Sequence, residues 1–171
     1  MTDQFDSLNQ QQQFICACNH ESGHILKTYL ICKGDPIKLG VIRTVVQLDG
    51  SAVTTTPRET LVFEAQMEIL AAGEASERLL GTSTLTEEMF LSHSSADRFE
   101  AYVRLGAHDQ MLTVYWLIRS YWQYFYTFND YVKRDIESLK PYLEWLQKLS
   151  KKLNKDGEFT YNKDKILFEG I

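Results

Sequence analysis

Cysteine is scarce in this 171-residue chain: Cys16, Cys18 and Cys32 form an odd set, and no two of them have zinc-knuckle spacing. That argues against a disulfide framework or a cysteine metal clip and favours small buried thiols. Long apolar runs are missing too. The most apolar-aromatic segment, VYWLIRSYWQYFYTF at 114–128, is interrupted by Arg119 and Gln123 and is well short of the roughly 20 residues a bilayer span needs. The opening MTDQFDSLNQQQQF has neither a basic start nor an apolar stretch, so no signal peptide is expected. These absences point to a cytoplasmic protein without a membrane partner. Charge of one sign is nowhere concentrated. The net charge of -5 is dispersed, and the clustered Lys/Arg footprint of a nucleic-acid binder is lacking. A GxxxxGK[ST] phosphate loop is also lacking, so no ATPase is expected in this chain.

What is present is a globular composition, 44% hydrophobic and 24% charged, at a length that suits one domain over 1–171. Residues 7–32 have helical periodicity, with Phe14, Ala17, Cys18 and Ile25 at three- to four-residue spacings. Gly34-Asp35-Pro36 stops that helix. Residues 37–48 are rich in β-branched side chains, Asp49-Gly50 suits a tight hairpin turn, and 51–56 would return as a second strand. Pro57 suits the first turn of a new helix over 59–80. A loop over 81–91 and two long helices, about 94–128 and 129–152, complete the expectation. The fold class is mainly α (α+β), a helical domain with one small inserted β-hairpin. Tyr115, Trp116, Tyr121, Trp122, Phe125 and Phe128 give an aromatic face, mostly core, with any excess available to a protein partner.

Chemistry is concentrated in His20-Glu21-Ser22-Gly23-His24. Residues four apart on a helix share a face, so His20 and His24 can hold one tetrahedral Zn²⁺ at about 2.0 to 2.1 Å each. Glu21 lies about 100° around the axis from His20, beside the ion, where a carboxylate can act as base. With four histidines and thirteen glutamates in the chain, a shuffled sequence yields such a string less than about once in a hundred trials. Cys16 shares that face but would lie about 12 Å from His24 along the axis, too far for one ion. A catalytic zinc needs a third protein ligand. Glu74, Glu77, His93 and Asp97 are the candidates. Ser94-Ser95-Ala96-Asp97 also reads as a capping box, which gives Asp97 a purely structural alternative.

HESGH, AAGEASERLLG at 71–81 and SSADRFEAYVRL at 94–105 together resemble the peptidase domain of FtsH, the membrane-anchored AAA+ zinc protease. That family carries HEAGH, a GGRxAEExxxG helix and a GASNDxxxAT-like helix start. The tail KPYLEWLQKLSKKLNKDGEFTYNKDKI is similar to the end of the same domain. The resemblance implies Zn²⁺ as cofactor, His20, His24 and Asp97 as ligands, and Glu21 as catalytic base. Glu77 stands where the second motif keeps a glutamate, either supporting a histidine or pairing with a nearby cation. Asn19 departs from the family, which usually has an apolar or aromatic residue before HExxH, and several family glycines are missing.

Zinc peptidases of this design hold substrate as a strand added to a sheet edge near the metal. Residues 48–56 are the candidate edge, with Val53, Thr54 and Thr55 binding substrate; a plain covering hairpin is the alternative. The expected function is a zinc-dependent endopeptidase acting on flexible peptides or unfolded protein segments. The competing expectation is a silent homologue that binds a protein partner. FtsH peptidase domains form rings, so a homo-oligomer is also an expected partner state.

Overall fold

The computed structural model describes residues 10–82, 95–108 and 121–171. It is mainly helical, with a small three-stranded antiparallel sheet. Helix α1 (Gln10–Cys32) runs through the middle. Nearly every residue from Phe14 to Tyr29 is buried, including Asn19, His20, Glu21, Ser22, His24, Lys27 and Thr28. A helix buried on all sides is usually apolar on all sides, so this polar content demands internal partners. After Gly34, α2 (Pro36–Leu39) forms a single turn, with the Asp35 side chain accepting from the Lys38 amide and Pro36 at its start. The expectation of strand from residue 37 is therefore corrected: strand β1 begins only at Arg43 and ends at Val46.

Strand β2 (Ala52–Thr55) returns along β1 after the turn at Asp49-Gly50, where Gly50 has φ +85°. A 3₁₀ turn (Arg58–Thr60) then leads to α3 (Phe63–Leu79), so the helix expected from 59 starts four residues late. Helix α3 ends at Gly81, φ +75°, with the Thr82 amide on the Glu77 carbonyl and the Gly81 amide on Arg78. This C-cap is tied to α1. The Asn19 side-chain amide donates to the Thr82 hydroxyl at 3.0 Å, and the Cys16 thiol meets the Thr82 carbonyl. Asn19 also accepts from Ser150, which explains a polar residue at this buried position.

Helices α4 (Ser95–His108) and α5 (Tyr121–Leu139) pack over α3. The break expected at 128/129 does not occur. Asn129 and Asp130 lie within α5, and the interruption falls at Lys140–Tyr142, where Pro141 replaces α-helix by a 3₁₀ turn. Helix α6 (Leu143–Asp156) follows, and Gly157 at φ +70° turns the chain into β3 (Glu158–Thr160). That strand pairs with the other side of β1 and gives the order β2-β1-β3, a third strand beyond the expected hairpin. Helix α7 (Tyr161–Asp164) and a last 3₁₀ turn place Phe168 flat against Tyr29, with centroids 4.0 Å apart. Phe125 and Phe128 are core, as are Tyr102 and Tyr124; Tyr126 is exposed. Tyr115 and Trp116 lie outside the described residues. Among the described residues no helix is long and apolar enough to cross a membrane. All three cysteines are buried and outside disulfides.

Two contacts lock α1 to its neighbours near the histidines. Lys27 pairs with Asp135 of α5 at 2.7 Å and Glu68 of α3 at 3.0 Å, so the buried cation has carboxylates from both helices. Gly23 lets the backbones touch: a Cβ there would lie 2.1 Å from the Ala72 carbonyl oxygen and 2.7 Å from Ser76 Cβ. Gly23→Ala must push the helices apart, and the overpacking cost exceeds the gain in helix propensity. We expect a net loss of about 2 kcal/mol or more, read as a lower urea midpoint at unchanged slope. Wild-type stability in this variant would show that the helices are not in such contact.

Candidate metal centre

His20 and His24 are not surface residues: they retain 4% and 6% of their exposure. Each ring is fixed through Nδ1 by α3. His24 Nδ1 lies 2.7 Å from the Ile69 carbonyl oxygen, which can only accept, so Nδ1 donates. His20 Nδ1 lies 2.5 Å from Glu77 Oε1. Glu77 is buried, and that burial raises its pKa against the opposing pull of His20. With Nδ1 engaged on each ring, both Nε2 atoms turn inward, the orientation second-sphere partners impose on metal-binding histidines.

The two Nε2 atoms are 3.0 Å apart, and Asp97 Oδ2 completes a triangle at 2.8 Å from His20 and 3.1 Å from His24. Three electron-pair donors this close repel one another unless positive charge sits among them. Two ligands at about 2.05 Å on a tetrahedral ion are about 3.3 Å apart, close to the observed spacing. With two nitrogens, one oxygen and a side left open to a cavity, the donor set fits a metal cation. The local electrostatics agree. Burial alone would lower the His20 pKa, but the hydrogen bonds and charges of Asp97 and Glu77 hold it well above the usual value. Burial would raise Asp97; the nearby histidines outweigh it and hold the carboxyl below the usual range.

Asp97 stands in the first turn of α4, and its neighbour Arg98 anchors that turn. The Arg98 guanidinium grips Glu74 at 2.6 and 2.8 Å, donates to Asn129, and lies over the Phe125 and Phe128 rings. Glu74 is thereby engaged with Arg98 and Arg78 and stays out of the His20–His24–Asp97 group. Of the other candidates, Glu77 sits behind His20, and His93 lies outside the described residues. So does Ser94, the partner in the capping-box alternative for Asp97.

Glu21 lines a cavity of about 250 Å³ that also contains His20, His24, Asp97, Ala52, Val53 and Thr54. The Thr54 hydroxyl donates to Glu21 Oε2 in a short hydrogen bond. Thr44 Oγ1 is 2.7 Å from Thr54 Oγ1 and must be the donor there, because Thr54's one proton goes to Glu21. Val53 and Thr55 have the opposite parity and expose their side chains; Thr55 does not line the cavity. The Gln47 amide bonds the Ser51 carbonyl, and by antiparallel alternation the backbone groups of Ala52 and Thr54 point to the outer edge. Among the described residues no strand covers that edge.

Gly73 was not singled out from the sequence. A Cβ there would lie 2.5 Å from His20 Nε2 and 2.8 Å from His24 Nε2, so the bare backbone is the bed on which both rings rest. The small residues Ala71-Ala72-Gly73, four before Glu77, were the available signal of close approach. No protein-family model matches the chain, and no curated protein matches it.

Metal binding should follow this geometry. The protein should take up about one zinc ion per chain in competition with a chromogenic chelator, and His24→Ala should abolish uptake. Glu77→Ala should weaken affinity about ten- to a hundredfold through lost ring orientation. Gly73→Ala, which touches no metal, should weaken it at least tenfold. Unchanged affinity in Gly73→Ala would mean that the imidazoles do not rest on that backbone.

Proposed function

We propose that the protein is a zinc-dependent endopeptidase related to the FtsH peptidase and acting on flexible peptides or unfolded segments. The observation that carries this reading is the convergence of His20, His24 and Asp97 beside a buried Glu21 and an open strand edge. Zn²⁺, when held by these three residues, supplies a Lewis acid for a peptide carbonyl and brings the pKa of water to about 7. Glu21 accepts the proton of the attacking water and returns it to the leaving amine. The Thr44–Thr54–Glu21 relay of hydroxyls leaves one carboxylate oxygen hydrogen-bonded and orients the other for this exchange. Glu77 and the Ile69 carbonyl keep the two imidazoles in the tautomer that offers Nε2. The outward backbone groups of Ala52 and Thr54 hold substrate as an added strand.

A 2-His-1-carboxylate donor set also serves Fe(II) oxygenases. A buried base at the cavity wall is what hydrolysis requires, and this favours the peptidase. The three buried free cysteines suit a reducing, cytoplasmic setting. No ATPase motif is present in the chain, so folded substrates would need an unfoldase acting in trans.

Glu21 is the discriminating residue. Glu21→Gln should keep zinc and fold while casein hydrolysis falls about a hundred- to ten-thousandfold, as loss of a general base does. Zinc-loaded wild type that cleaves neither casein nor a broad peptide panel would replace this reading with a silent, partner-binding fold.

A further inference from the structure

Arg58 lies in the 3₁₀ turn four residues beyond Thr54 and lines the same cavity as Glu21 and the metal group. At strand rise, those four residues span at most about 13 Å. Its surroundings engage its donors only loosely. The one ion pair it makes among the described residues is a loose 3.4 Å approach to Glu100 Oε2. Glu100 is already held by Arg104, whose Nε and Nη2 reach Oε1 at 3.0 and 2.7 Å. Arg104 in turn is saturated by Gln66 at 2.5 Å and Glu59 at 2.6 Å. The lining acids are otherwise engaged: Asp97 faces the histidines, Glu21 takes Thr54, and Glu100 gives Oε1 to Arg104, leaving Oε2 at 3.4 Å from Arg58. Arg58 is the one lining charge, among the described residues, without a close partner. Beside it Thr56 carries a hydroxyl with no hydrogen-bond partner and lines the same wall.

We propose that Arg58 forms a carboxylate-binding subsite beside the metal centre and gives the enzyme a preference for an acidic group next to the scissile bond. The inference rests on the peptidase reading and names its specificity. A guanidinium presents a planar fork that matches a carboxylate in two parallel hydrogen bonds, and at 22% side-chain exposure Arg58 is screened from bulk water. The cavity volume of about 250 Å³ suits the peptide unit being cut together with a small acidic group. A Glu or Asp side chain and a chain terminus offer this same carboxylate chemistry.

The test uses the full chain with Glu21→Gln and zinc added, so that peptides are bound and not consumed. Fluorescence anisotropy is read on labelled alanine-rich heptapeptides: amidated ones with central Glu, Gln or Lys, and the Gln peptide with a free carboxyl terminus. The Glu peptide or the free-terminus peptide should bind about tenfold or more tighter than the amidated Gln peptide. Which of them does so identifies the source of the carboxylate. Adding Arg58→Gln should shrink that margin to about twofold. If that variant misfolds, Arg58→Lys, which keeps the charge and loses the fork, should still reduce it. In the active wild type, the kcat/KM ratio of acidic to neutral peptides should show the same preference. Equal binding of all four peptides, a preference for Lys, or a margin that survives loss of Arg58 overturns the subsite. Cleavage of the neutral peptide without acid preference would sink the subsite alone. Failure to bind or cut any peptide would sink the peptidase reading with it.

Discussion

Helices α1 and α3 meet at backbone distance, and the rest of the centre depends on that closeness. Gly23 fits against the Ala72 carbonyl, and one residue later Gly73 receives both imidazoles. Only because the axes come so near can Ile69 and Glu77, two turns apart on α3, each reach an Nδ1 on α1. The α3 C-cap at Gly81 then fixes the remaining freedom, since Thr82 is bound to Asn19 one residue before His20. Register between the two helices is thus set by small residues and by the capping turn, and the chemistry inherits it.

Such a helix is costly to bury. Seven polar or charged side chains between Asn19 and Thr28 are removed from water, and a buried polar group without a partner destabilises by about 1–3 kcal/mol. The fold answers with specific partners: Ser150 and Thr82 for Asn19, Ser76 for Ser22, Asp135 and Glu68 for Lys27, Thr54 for Glu21. The Thr28 hydroxyl is left without a partner, and the inward Nε2 atoms and Asp97 Oδ2 face one another. A cation held there would resolve that conflict. The surrounding partners hold the two rings with their Nε2 atoms 3.0 Å apart, so an ion bound there would need little reorganisation of the histidines.

The closeness of His20 and His24 was legible because residues four apart sit about one helical turn above each other, where spacing alone fixes geometry. Asp97 is 73 residues from His24, and only tertiary packing through Arg98 and Glu74 brings it to the histidines. Sequence offered it through a family resemblance, beside other acids that spacing could not separate. The hairpin was readable from Asp49-Gly50, but β3 was not, since Glu158–Thr160 is too short to show alternation. Strand parity was the finer loss. Val53, Thr54 and Thr55 were equivalent by position, yet the pleat turns Thr54 to Glu21 and the other two side chains outward. The helix boundary was expected at 128/129, while Pro141 was the residue that enforced a break.

The most direct measurement of the centre is X-ray absorption at the zinc edge on the purified, zinc-loaded chain. Two imidazoles and carboxylate or water oxygens at about 2.0 to 2.2 Å, with no sulfur, are expected for His20, His24 and Asp97. Imidazole scattering should be lost in His24→Ala. A sulfur shell near about 2.3 Å would place the ion on cysteine. A spectrum with a single imidazole would equally contradict the centre described.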